Sequence, residues 1–581
     1  MESLSLIKPY FYRRRRLIIF GIACLVCVDI LQLWIPRIVK QAVDDLAFMR
    51  ADPVRLGRYA IEIMAIALAM AGLRFIWRRL LIGTSRIVEE GLRKRLFCHI
   101  QTLSASYFET TRAGDLMARA TNDINNIRMA AGMGIVAMTD AVFLGSAAVC
   151  FMAAINLRLT LLSMLPMPLI VLITRIFGKK MHRLYTGVQA RFSDITETAR
   201  ESLAGIRVVK AYGLEADRTA RLSILSEKYI TENLRLVNIT GSFFPLMVFF
   251  TNVSLAIVLY FGGRLTITKN ITPGDFVAFI SYLSLLTWPM MAIGWVTNLI
   301  QRGMASLDRI NAVMETRPDI TDEKDAVCLK SVSGGINLDK VNFSFNPDGP
   351  LVLDDINLSV PAGKVLGIAG PQGAGKTTLL NLITRRYDVN SGSISLDGND
   401  IRSILLSNLR QSVVHVPQEP FLFSGTIREN IAFGMTKDEN HIIAAAKSAA
   451  LYDDIMGFDR GLDTLVGERG VALSGGQKQR VVIARALIKD APVFLFDDPI
   501  GQVDTRTAAG IIETIRKLAG KKTVLIASHR ISALRISDSI IVLENGRLTE
   551  YGTHAELAGG DGYYSRINAL QELETSGVDD K

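Results

Sequence analysis

Cysteine is scarce in this sequence and shows no pairing pattern. The five cysteines, an odd number in 581 residues, lie at positions 24, 27, 98, 150 and 328. They offer no disulfide framework, which excludes the class of small secreted proteins held together by disulfide bonds. Cys24 and Cys27 have the spacing of a redox pair, but they lie in an apolar run, where packing is the better interpretation.

Charged residues are also few. They make up 21% of the chain, against 49% hydrophobic residues and a mean hydropathy of +0.28. A soluble protein seldom has this balance, so part of the chain is expected in lipid. The net charge of +10 and the pI of about 9.3 suggest nucleic acid as a partner when taken alone. Long apolar runs favour another interpretation, in which basic flanks lie at the cytoplasmic face of a bilayer and no nucleic acid is bound.

The first apolar run lacks the small-residue cleavage site of a secretory signal. It follows Arg13 to Arg16 and is long enough to cross a bilayer, so it is predicted to be a membrane helix with the arginines inside. Six such spans are predicted, at about residues 17–39, 59–82, 130–155, 157–177, 243–261 and 276–300. An even number of spans returns the chain to its starting side, so the N-terminus and the C-terminal half are both predicted to lie in the cytoplasm. The protein is predicted to lie in the cell (inner or plasma) membrane.

The connections between the spans are very unequal. Spans three and four are joined by almost nothing, which predicts a tight hairpin. Long polar but helically patterned stretches, such as Glu89–Phe97 and Ile195–Leu203, follow spans two and four. We expect two helical arms that extend some 30 Å or more beyond the membrane, at about 1.5 Å per residue, and reach a cytoplasmic domain.

A few residues within the spans suggest a substrate or proton pathway. Asp29 and Asp140 are ionisable groups at membrane depth, where charge is costly. A buried partner or a water-lined wall explains them equally well. Trp288–Met291 suits an adaptable apolar cavity, although ordinary helix packing is the more common role of such residues.

The apolar helical pattern stops near Thr316–Asp319. We therefore expect an all-α membrane domain of six helices over residues 1–320, a linker over 321–335, an α/β domain with a largely parallel sheet over 336–571, and a disordered tail over 572–581. Ile336–Phe345 and Leu353–Val360 are predicted as the first strands of the α/β domain.

A glycine-rich stretch, Gly370–Thr378, indicates how this second domain binds a ligand. It has a Gly, four residues and then Gly-Lys-Thr, between the apolar run Val365–Ala369 and a helical segment. Strand, glycine turn and helix is the context in which this spacing binds phosphates through backbone N–H groups and a helix N-terminus. We expect Lys376 to reach the outer phosphates and the Thr377 hydroxyl to hold Mg²⁺.

Two later stretches fit the same chemistry. The buried strand Val493–Asp497 ends in a carboxylate that suits a Mg²⁺ ligand beside a triphosphate. Leu473–Gln477 places Ser474 and two glycines at a second helix N-terminus, another anion site. Two phosphate-binding helix ends in one chain suggest two chains that share their nucleotides.

Together these motifs give a resemblance, over nearly the whole chain, to one half of an ATP-binding cassette exporter. Gly370–Thr378 resembles the Walker A loop, Asp497 the Walker B aspartate and Leu473–Gln477 the signature motif. The resemblance implies ATP and Mg²⁺ as cofactors and a second half-transporter as partner. It assigns catalysis to Asp498, the switch histidine His529 and the glutamine-loop Gln418; metal binding to Thr377, Gln418 and Asp497; and nucleotide binding to Phe345, Gly370, Gln372, Gly373, Ala374, Gly375, Lys376, Thr377, Thr378, Ser474, Gly475, Gly476, Gln477 and the D-loop Asp504.

The same resemblance assigns three segments to coupling between domains. Thr464–Gly470 is similar to an exporter segment that touches the membrane arms. Gly114–Asp123 resembles the first coupling region, and the turn near Tyr212–Gly213 resembles the second, which in the family crosses to the partner's ATP domain. Intertwined halves are therefore expected.

Two positions depart from the family pattern. The family usually has a glutamate after the Walker B aspartate, whereas this chain has Asp498, and the D-loop reads Gly501–Asp504 where Ser-Ala-Leu-Asp is common. The shorter carboxylate predicts a site that binds ATP well and hydrolyses it poorly, because reach falls by about 1.5 Å. With an intact signature motif, this favours the degenerate-site subunit of a heterodimer, although a homodimer is the alternative.

The leading functional prediction is an ATP-driven exporter half that moves amphipathic or hydrophobic compounds, drugs or lipids, out of the cytoplasm. A second hypothesis is an ATP-gated channel or regulatory protein of the same family, which rings of charged residues along the membrane helices would favour. An importer ATPase subunit is a third, disfavoured by the fused spans. No peptidase-like segment precedes the first span, which disfavours a peptide-processing exporter.

Overall fold

The computed structural model describes residues 2–346, 349–435, 437–467, 470 and 473–579. It divides into two compact units. The first contains residues up to Thr102 together with Thr111–Thr316, and the second contains Leu103–Thr110 together with the residues from Arg317 onward.

The first unit is entirely helical. Six of its helices are long and apolar enough to cross a membrane, and each contains one predicted span: Arg15–Ala47, Pro53–Thr102, Ala113–Ile155, Leu157–Ala204, Glu215–Ile267 and Pro273–Glu315. Their regular α-helical parts, with the shorter helices around them, are Lys8–Arg13, Arg15–Ala47, Pro53–Trp77, Gly83–Thr102, Ala113–Ala118, Ile124–Met129, Ile135–Ile155, Leu157–Met164, Met167–Ala204, Ile206–Tyr212, Glu215–Ile257, Gly263–Ile267 and Pro273–Glu315. Wider π turns at Arg78–Ile82, Arg119–Asp123, Ala130–Gly134 and Val258–Gly262 interrupt them.

The tight hairpin between the third and fourth membrane helices is confirmed. Helix Ile135–Ile155 ends and helix Leu157–Met164 begins with Asn156 alone between them. Asn156 has extended backbone angles, and its side chain accepts a hydrogen bond from the Leu159 N–H at 3.0 Å. This N-cap satisfies one of the free N–H groups that start the next helix and so allows the chain to reverse within one residue.

The polar stretches after spans two and four are helical, as predicted. In the first arm, Asp123 is buried and accepts hydrogen bonds from Arg309 Nε and Ser306 Oγ, both at 2.9 Å. A buried carboxylate needs such partners to remain charged, so this contact fixes the returning half of the arm against the sixth membrane helix. Asp123 ends the stretch Gly114–Asp123 that the resemblance assigned to coupling, and the structure gives it this local role within the first unit.

The tip of the first arm belongs to the second unit. The short helix Ala105–Thr110 lies within the segment Leu103–Thr110, which packs with the residues from Arg317 onward. Ser104 Oγ accepts a hydrogen bond from the Ile320 N–H at 2.9 Å, and the Tyr387 hydroxyl donates to Glu109.

The second unit contains two sheets, where the sequence predicted one. Strands β1 to β10 are Ile336–Phe343, Leu353–Val360, Val365–Ala369, Ser391–Leu396, Asn399–Asp400, Val413–Val416, Val493–Asp497, Thr523–Ala527, Ser539–Glu544 and Arg547–Gly552. The six-stranded sheet has the order β10-β9-β3-β8-β7-β6 and is parallel apart from its β10 edge. The other sheet, β2-β1-β4-β5, is antiparallel.

Helices surround these sheets. Strands β3, β7 and β8 are buried along their whole length, as the central strands of a parallel sheet covered on both faces must be. The helices of this unit, apart from the arm tip, are Lys376–Ile383, Leu406–Ser412, Ile427–Ala432, Glu439–Ser448, Tyr452–Met456, Gly475–Leu487, Thr505–Leu518, Ile531–Leu534, His554–Ala558 and Tyr563–Asp579.

Residues 572–579 belong to the tail that its polar composition predicts to be disordered. Helix Tyr563–Asp579 continues through this stretch. The Gln571 side chain bridges the backbone of the next segment, accepting from the Ile531 N–H at 2.9 Å and donating to the His529 carbonyl at 2.8 Å. Tyr564 is fully buried at the start of the same helix. These tertiary contacts anchor a polar helix that its own composition does not predict.

Candidate nucleotide-binding site

The phosphate loop connects β3 to helix Lys376–Ile383. Its glycines adopt backbone angles that other residues avoid, with φ of 143° at Gly370 and 99° at Gly375. Close packing adds a second constraint. A Cβ at Gly370 would lie 2.2 Å from the Leu543 carbonyl oxygen, and one at Gly375 would lie 2.7 Å from Leu353 Cδ2. The loop can therefore hold its wrapped conformation only with glycine at both positions.

Lys376 begins the helix and is buried. Its Nζ donates hydrogen bonds to the carbonyl oxygens of Gly370 and Pro371, each at 2.8 Å. Burial lowers the pKa of Lys376, and the nearby carboxylates of Asp497 and Asp498 oppose that shift. A cation held by the first residues of its own loop is placed to meet phosphate oxygens without a large rearrangement.

Asp497 ends β7 and is 4% exposed. Burial raises its pKa, while a hydrogen bond from the Thr377 hydroxyl lowers it. Its second oxygen, Oδ2, is buried and has no hydrogen-bond partner in the described part of the chain. A carboxylate with an unused buried oxygen beside a threonine hydroxyl is an oxygen donor pair that fits Mg²⁺. Among the described residues no cluster of three or more His, Cys, Asp or Glu has metal-binding geometry, so a metal here would need oxygens from the nucleotide as well.

Asp498 follows in an unusual conformation, with φ at 48°. Its N–H donates to the Ala527 carbonyl at 2.7 Å, and its Oδ1 accepts from Ser528 Oγ at 2.9 Å. Its Oδ2 lies over Gly501, where a Cβ would be only 2.2 Å away. The carboxylate is therefore fixed by one hydroxyl and by a glycine that leaves room for it.

The remaining residues assigned to this site line the same cavity, which measures about 370 Å³. Gln418 and His529 lie on its wall, and burial lowers the pKa of His529. Phe345 is 51% exposed and packs edge-on against Tyr387, with ring centroids 5.5 Å apart. The full lining is Phe345, Val352, Gln372, Gly373, Ala374, Gly375, Lys376, Thr377, Thr378, Gln418, Asp497, Asp498, Ala527, Ser528 and His529.

The signature residues and Asp504 do not line this cavity. Ser474 caps helix Gly475–Leu487 in a capping box, in which its side chain accepts from the Gln477 N–H and the Gln477 side chain accepts from the Ser474 N–H. Asp504 caps helix Thr505–Leu518 and accepts from the Thr507 N–H at 3.0 Å. The structure thus gives each a local capping role, and Gly475 and Gly476 lie next to Gln502 and not in the cavity of the phosphate loop.

Two residues that hold the Asp498 carboxylate were not predicted from the sequence. Ser528 is next to the predicted His529, and Gly501 lies in the D-loop stretch noted only as a departure. Ser528 contacts Asp498 because β7 pairs in parallel with β8, so that Asp497 is opposite Ala527 and the next residues of the two strands meet. Gly501 contacts Asp498 through the turn that follows β7, in which its N–H donates to the Asp498 carbonyl. In the segment Thr464–Gly470, residues Glu468 and Arg469 lie outside the described residues.

Comparison with known proteins covers almost the whole chain. The ABC transporter transmembrane region matches residues 18–290, and the ABC transporter domain matches residues 353–501. The multidrug resistance-like ATP-binding protein MdlA of Escherichia coli (strain K12) is 34% identical over 99% of this chain and 98% of its own length. The chain belongs to the ABC transporter family.

Further relatives place it among the ABC exporters. The probable multidrug resistance ABC transporter ATP-binding/permease protein YheI of Bacillus subtilis (strain 168) is 34% identical over 96% of this chain and 95% of its own length. An ATP-dependent lipid A-core flippase of Syntrophus aciditrophicus (strain SB) is also 34% identical, over 98% of this chain and 94% of its own length. A bacterial Atm1-family ABC exporter structure with ATP bound aligns with a TM-score of 0.76 and 28% identity, over 96% of this chain and 98% of that one.

These findings confirm the expected class and fold. The chain is an ABC exporter chain that binds ATP and couples its hydrolysis to transport. It is a multi-pass protein of the cell (inner) membrane, with six membrane helices and a cytoplasmic ATP-binding domain.

Proposed function

We propose that this ABC exporter chain is one half of a dimer that moves hydrophobic or amphipathic compounds, drugs or lipids, out of the cytoplasm. Its relatives are named for multidrug resistance and for lipid A-core flipping, both of which concern amphipathic molecules. Closure of two ATP-bound domains drives the membrane helices from an inward-open to an outward-open state, and hydrolysis resets them.

The separation of the phosphate loop from the signature helix supports the proposal of a dimer. Lys376 and Thr377 line the nucleotide cavity, whereas Ser474 and Gly475 start a helix outside it. A helix N-terminus with free N–H groups binds anions, so the signature helix is suited to the phosphates of a nucleotide held by a second chain. Each nucleotide is then held by the Walker residues of one half and the signature motif of the other.

The conformation of Asp498 carries the proposal that this half has the slow site. General-base catalysis requires the carboxylate within hydrogen-bond reach of the attacking water. The Asp498 side chain is one methylene shorter than the glutamate usual in the family, and its oxygens lie against Ser528 and Gly501. Since Lys376 and Thr377 are intact, this half binds ATP and hydrolyses it slowly.

Mg²⁺ is the proposed metal of the site. The Thr377 hydroxyl and Asp497 Oδ2 supply two oxygen ligands, with Gln418 and the nucleotide phosphates as further ones. When bound, the ion neutralises charge on the outer phosphates.

A heterodimer suits this asymmetry better than a homodimer. A homodimer would carry two slow sites, whereas a partner with a catalytic glutamate would place the efficient site against this chain's Ser474–Gln477. The test compares ATPase rates of this chain alone and together with its partner, each normalised to bound ATP. We expect a rate at least tenfold lower for the chain alone, and equal rates per bound ATP would refute the asymmetry.

A transport assay separates the exporter from an ATP-gated channel. Inside-out vesicles that contain the assembled protein should take up a labelled hydrophobic drug when ATP is added, and Lys376→Ala vesicles serve as the matched control. Ion current across a planar bilayer in the presence of ATP, without drug uptake, would refute export and support the channel.

A further inference from the structure

The membrane unit contains a cavity that the nucleotide chemistry does not use. It measures about 360 Å³, within the range of about 300–1,000 Å³ typical of small-molecule sites. The first, second, third and sixth membrane helices line it. Asp29 from the first helix and Asp140 from the third both contribute carboxylates to its wall.

Three polar atoms on this wall have no hydrogen-bond partner among the residues that the structure describes. Asp29 is 3% exposed, and its Oδ2 accepts no hydrogen bond. Asp140 Oδ1 is likewise buried and unpaired, as is the indole nitrogen Trp77 Nε1. Unpaired buried polar atoms cost free energy, so each of them favours a molecule that supplies a hydrogen-bond partner. The two carboxylate oxygens accept hydrogen bonds, so they require N–H or O–H donors from a ligand, and the indole N–H requires one acceptor.

The arginines of the same wall do not meet this need. Arg74 and Arg78 lie on the second helix, and both are exposed. Arg74 donates to Gln32 Oε1 at 3.3 Å, and the Arg78 guanidinium lies 5.7 Å from the centre of the Trp77 ring. The charge of Arg74 acts on both carboxylates. Its hydrogen bond goes to Gln32, however, so Asp29 Oδ2 and Asp140 Oδ1 are left without a donor among the described residues. The unmet demand on this wall is therefore for hydrogen-bond donors to two carboxylates, which an ammonium group supplies together with a positive charge.

Aromatic and aliphatic groups complete the cavity. Trp288 and Trp295 from the sixth helix are 53% and 37% exposed, and both line it. Val28 and Leu144 add apolar surface. Tryptophan faces attract cations and stack on flat rings, so the cavity offers a charged end and an aromatic wall to one molecule.

We propose that this cavity binds an amphipathic organic ammonium compound, whose N–H groups donate to Asp29 and Asp140 and whose flat apolar body packs on Trp288 and Trp295. An oxygen acceptor near the amine would take the Trp77 N–H. This assignment rests on the proposed export function, since it specifies the substrate class. An inorganic cation would leave the tryptophan wall and most of the cavity unfilled.

Three probes that share a pyrene ring system and differ in the charge of their end group test whether the cavity prefers a cation. They are 1-pyrenebutylamine, which is cationic at pH 7, neutral 1-pyrenebutanol and anionic 1-pyrenebutyric acid. Binding to the full-length assembled protein in lipid nanodiscs is followed by energy transfer from tryptophan to pyrene. Empty nanodiscs correct for partitioning of each probe into lipid. We expect the amine to bind at least tenfold more tightly than the alcohol, and the acid most weakly. Equal affinities would overturn the proposal.

Substitutions of the two aspartates test whether their carboxylates cause the preference for the amine. Asp29→Asn and Asp140→Asn keep the side-chain size and remove the charge, so each should weaken binding of the amine at least tenfold and leave binding of the alcohol within about twofold. Glu62→Gln is the matched control, because Glu62 lies on the second helix, pairs with Arg58 at 2.9 Å and does not line the cavity. If both asparagine variants bind the amine as the parent does, the assignment is wrong.

A transport readout keeps this proposal separate from the export function. ATP-dependent uptake into inside-out vesicles is measured for the same three probes. Uptake of all three without a preference, together with unselective binding, would overturn the carboxylate site and support export. Selective amine binding without uptake of any probe would support the site and refute export.

Discussion

Replacing Asp498 with glutamate should restore hydrolysis at this chain's own nucleotide. Glutamate adds about 1.5 Å of reach, one C–C bond, to a carboxylate now bonded to Ser528 at 2.9 Å. Because a misplacement of about 1 Å costs on the order of a hundredfold in rate, the gain should be about 10–100-fold, or about 1.4–2.7 kcal/mol of activation free energy. The positive φ of 48° favours Asp over Glu, but that strain lowers stability and leaves nucleotide binding unchanged.

The assay must isolate one site of the dimer. The partner's catalytic carboxylate is replaced by its amide, and hydrolysis of radiolabelled ATP is measured in a single turnover at saturating Mg²⁺. Asp498→Asn is the matched control, because it keeps the size of the side chain and removes the charge, and it should not increase turnover. Unchanged turnover in Asp498→Glu, with ATP still bound, would refute side-chain reach as the cause.

The contact between Asp498 and Gly501 gives a second test of the same geometry. A Cβ at Gly501 would lie 2.2 Å from Asp498 Oδ2, so Gly501→Ala should lower the melting temperature of the assembled protein. The loss should shrink in the Asp498→Ala background, with a coupling of about 0.5–3 kcal/mol. Additive effects of the two substitutions would show that the glycine and the carboxylate do not depend on each other.

Three further predictions concern other contacts of the second unit. Lys376→Ala removes the cation of the phosphate loop and should weaken binding of a fluorescent ATP analogue at least tenfold, and an unchanged Kd would contradict this role. Burial lowers the pKa of His415 from 6.5 to about 4. Between pH 6.5 and pH 4 this histidine is therefore protonated in the unfolded chain and neutral in the folded chain. Stability should fall by up to about 3 kcal/mol between pH 6.5 and 4, and His415→Gln should flatten that slope in thermal unfolding. Tyr387→Phe removes the hydroxyl that donates to Glu109 and should increase hydrogen exchange of Leu103–Thr110, whereas unchanged exchange would show that the bond does not hold the arm tip.

Local and strongly physical patterns were predicted best from the sequence. The six membrane helices follow from bilayer thickness, which sets a minimum apolar length for any spanning helix. The phosphate loop follows from its spacing, because Gly370 and Gly375 occupy backbone angles of positive φ that few other residues tolerate. In both cases the determinant lies within some twenty consecutive residues.

Contacts between distant segments were not predicted. The hydrogen bond from Ser528 to Asp498 exists because β7 and β8 are neighbours in the sheet. The order of strands in a sheet cannot be predicted from the residues of either strand alone. The helix after Gln571 depends on tertiary contacts with the segment from His529 to Ile531, and its polar composition suggested disorder. The separate antiparallel sheet was missed for the same reason, since its strand β4 pairs with the distant β1.

The chemical state of the nucleotide retained by this chain tests the proposed slow site most directly. The assembled protein is incubated with Mg²⁺ and radiolabelled 8-azido-ATP, washed and photolabelled, so that the label attaches near Phe345 of this chain or at the partner's site, and the two chains are separated. We expect this chain to carry mainly uncleaved triphosphate after many turnovers of the dimer, and the Asp498→Glu chain to carry diphosphate. Diphosphate on the unmodified chain at the rate of overall turnover would contradict the proposal that this half binds ATP and hydrolyses it slowly.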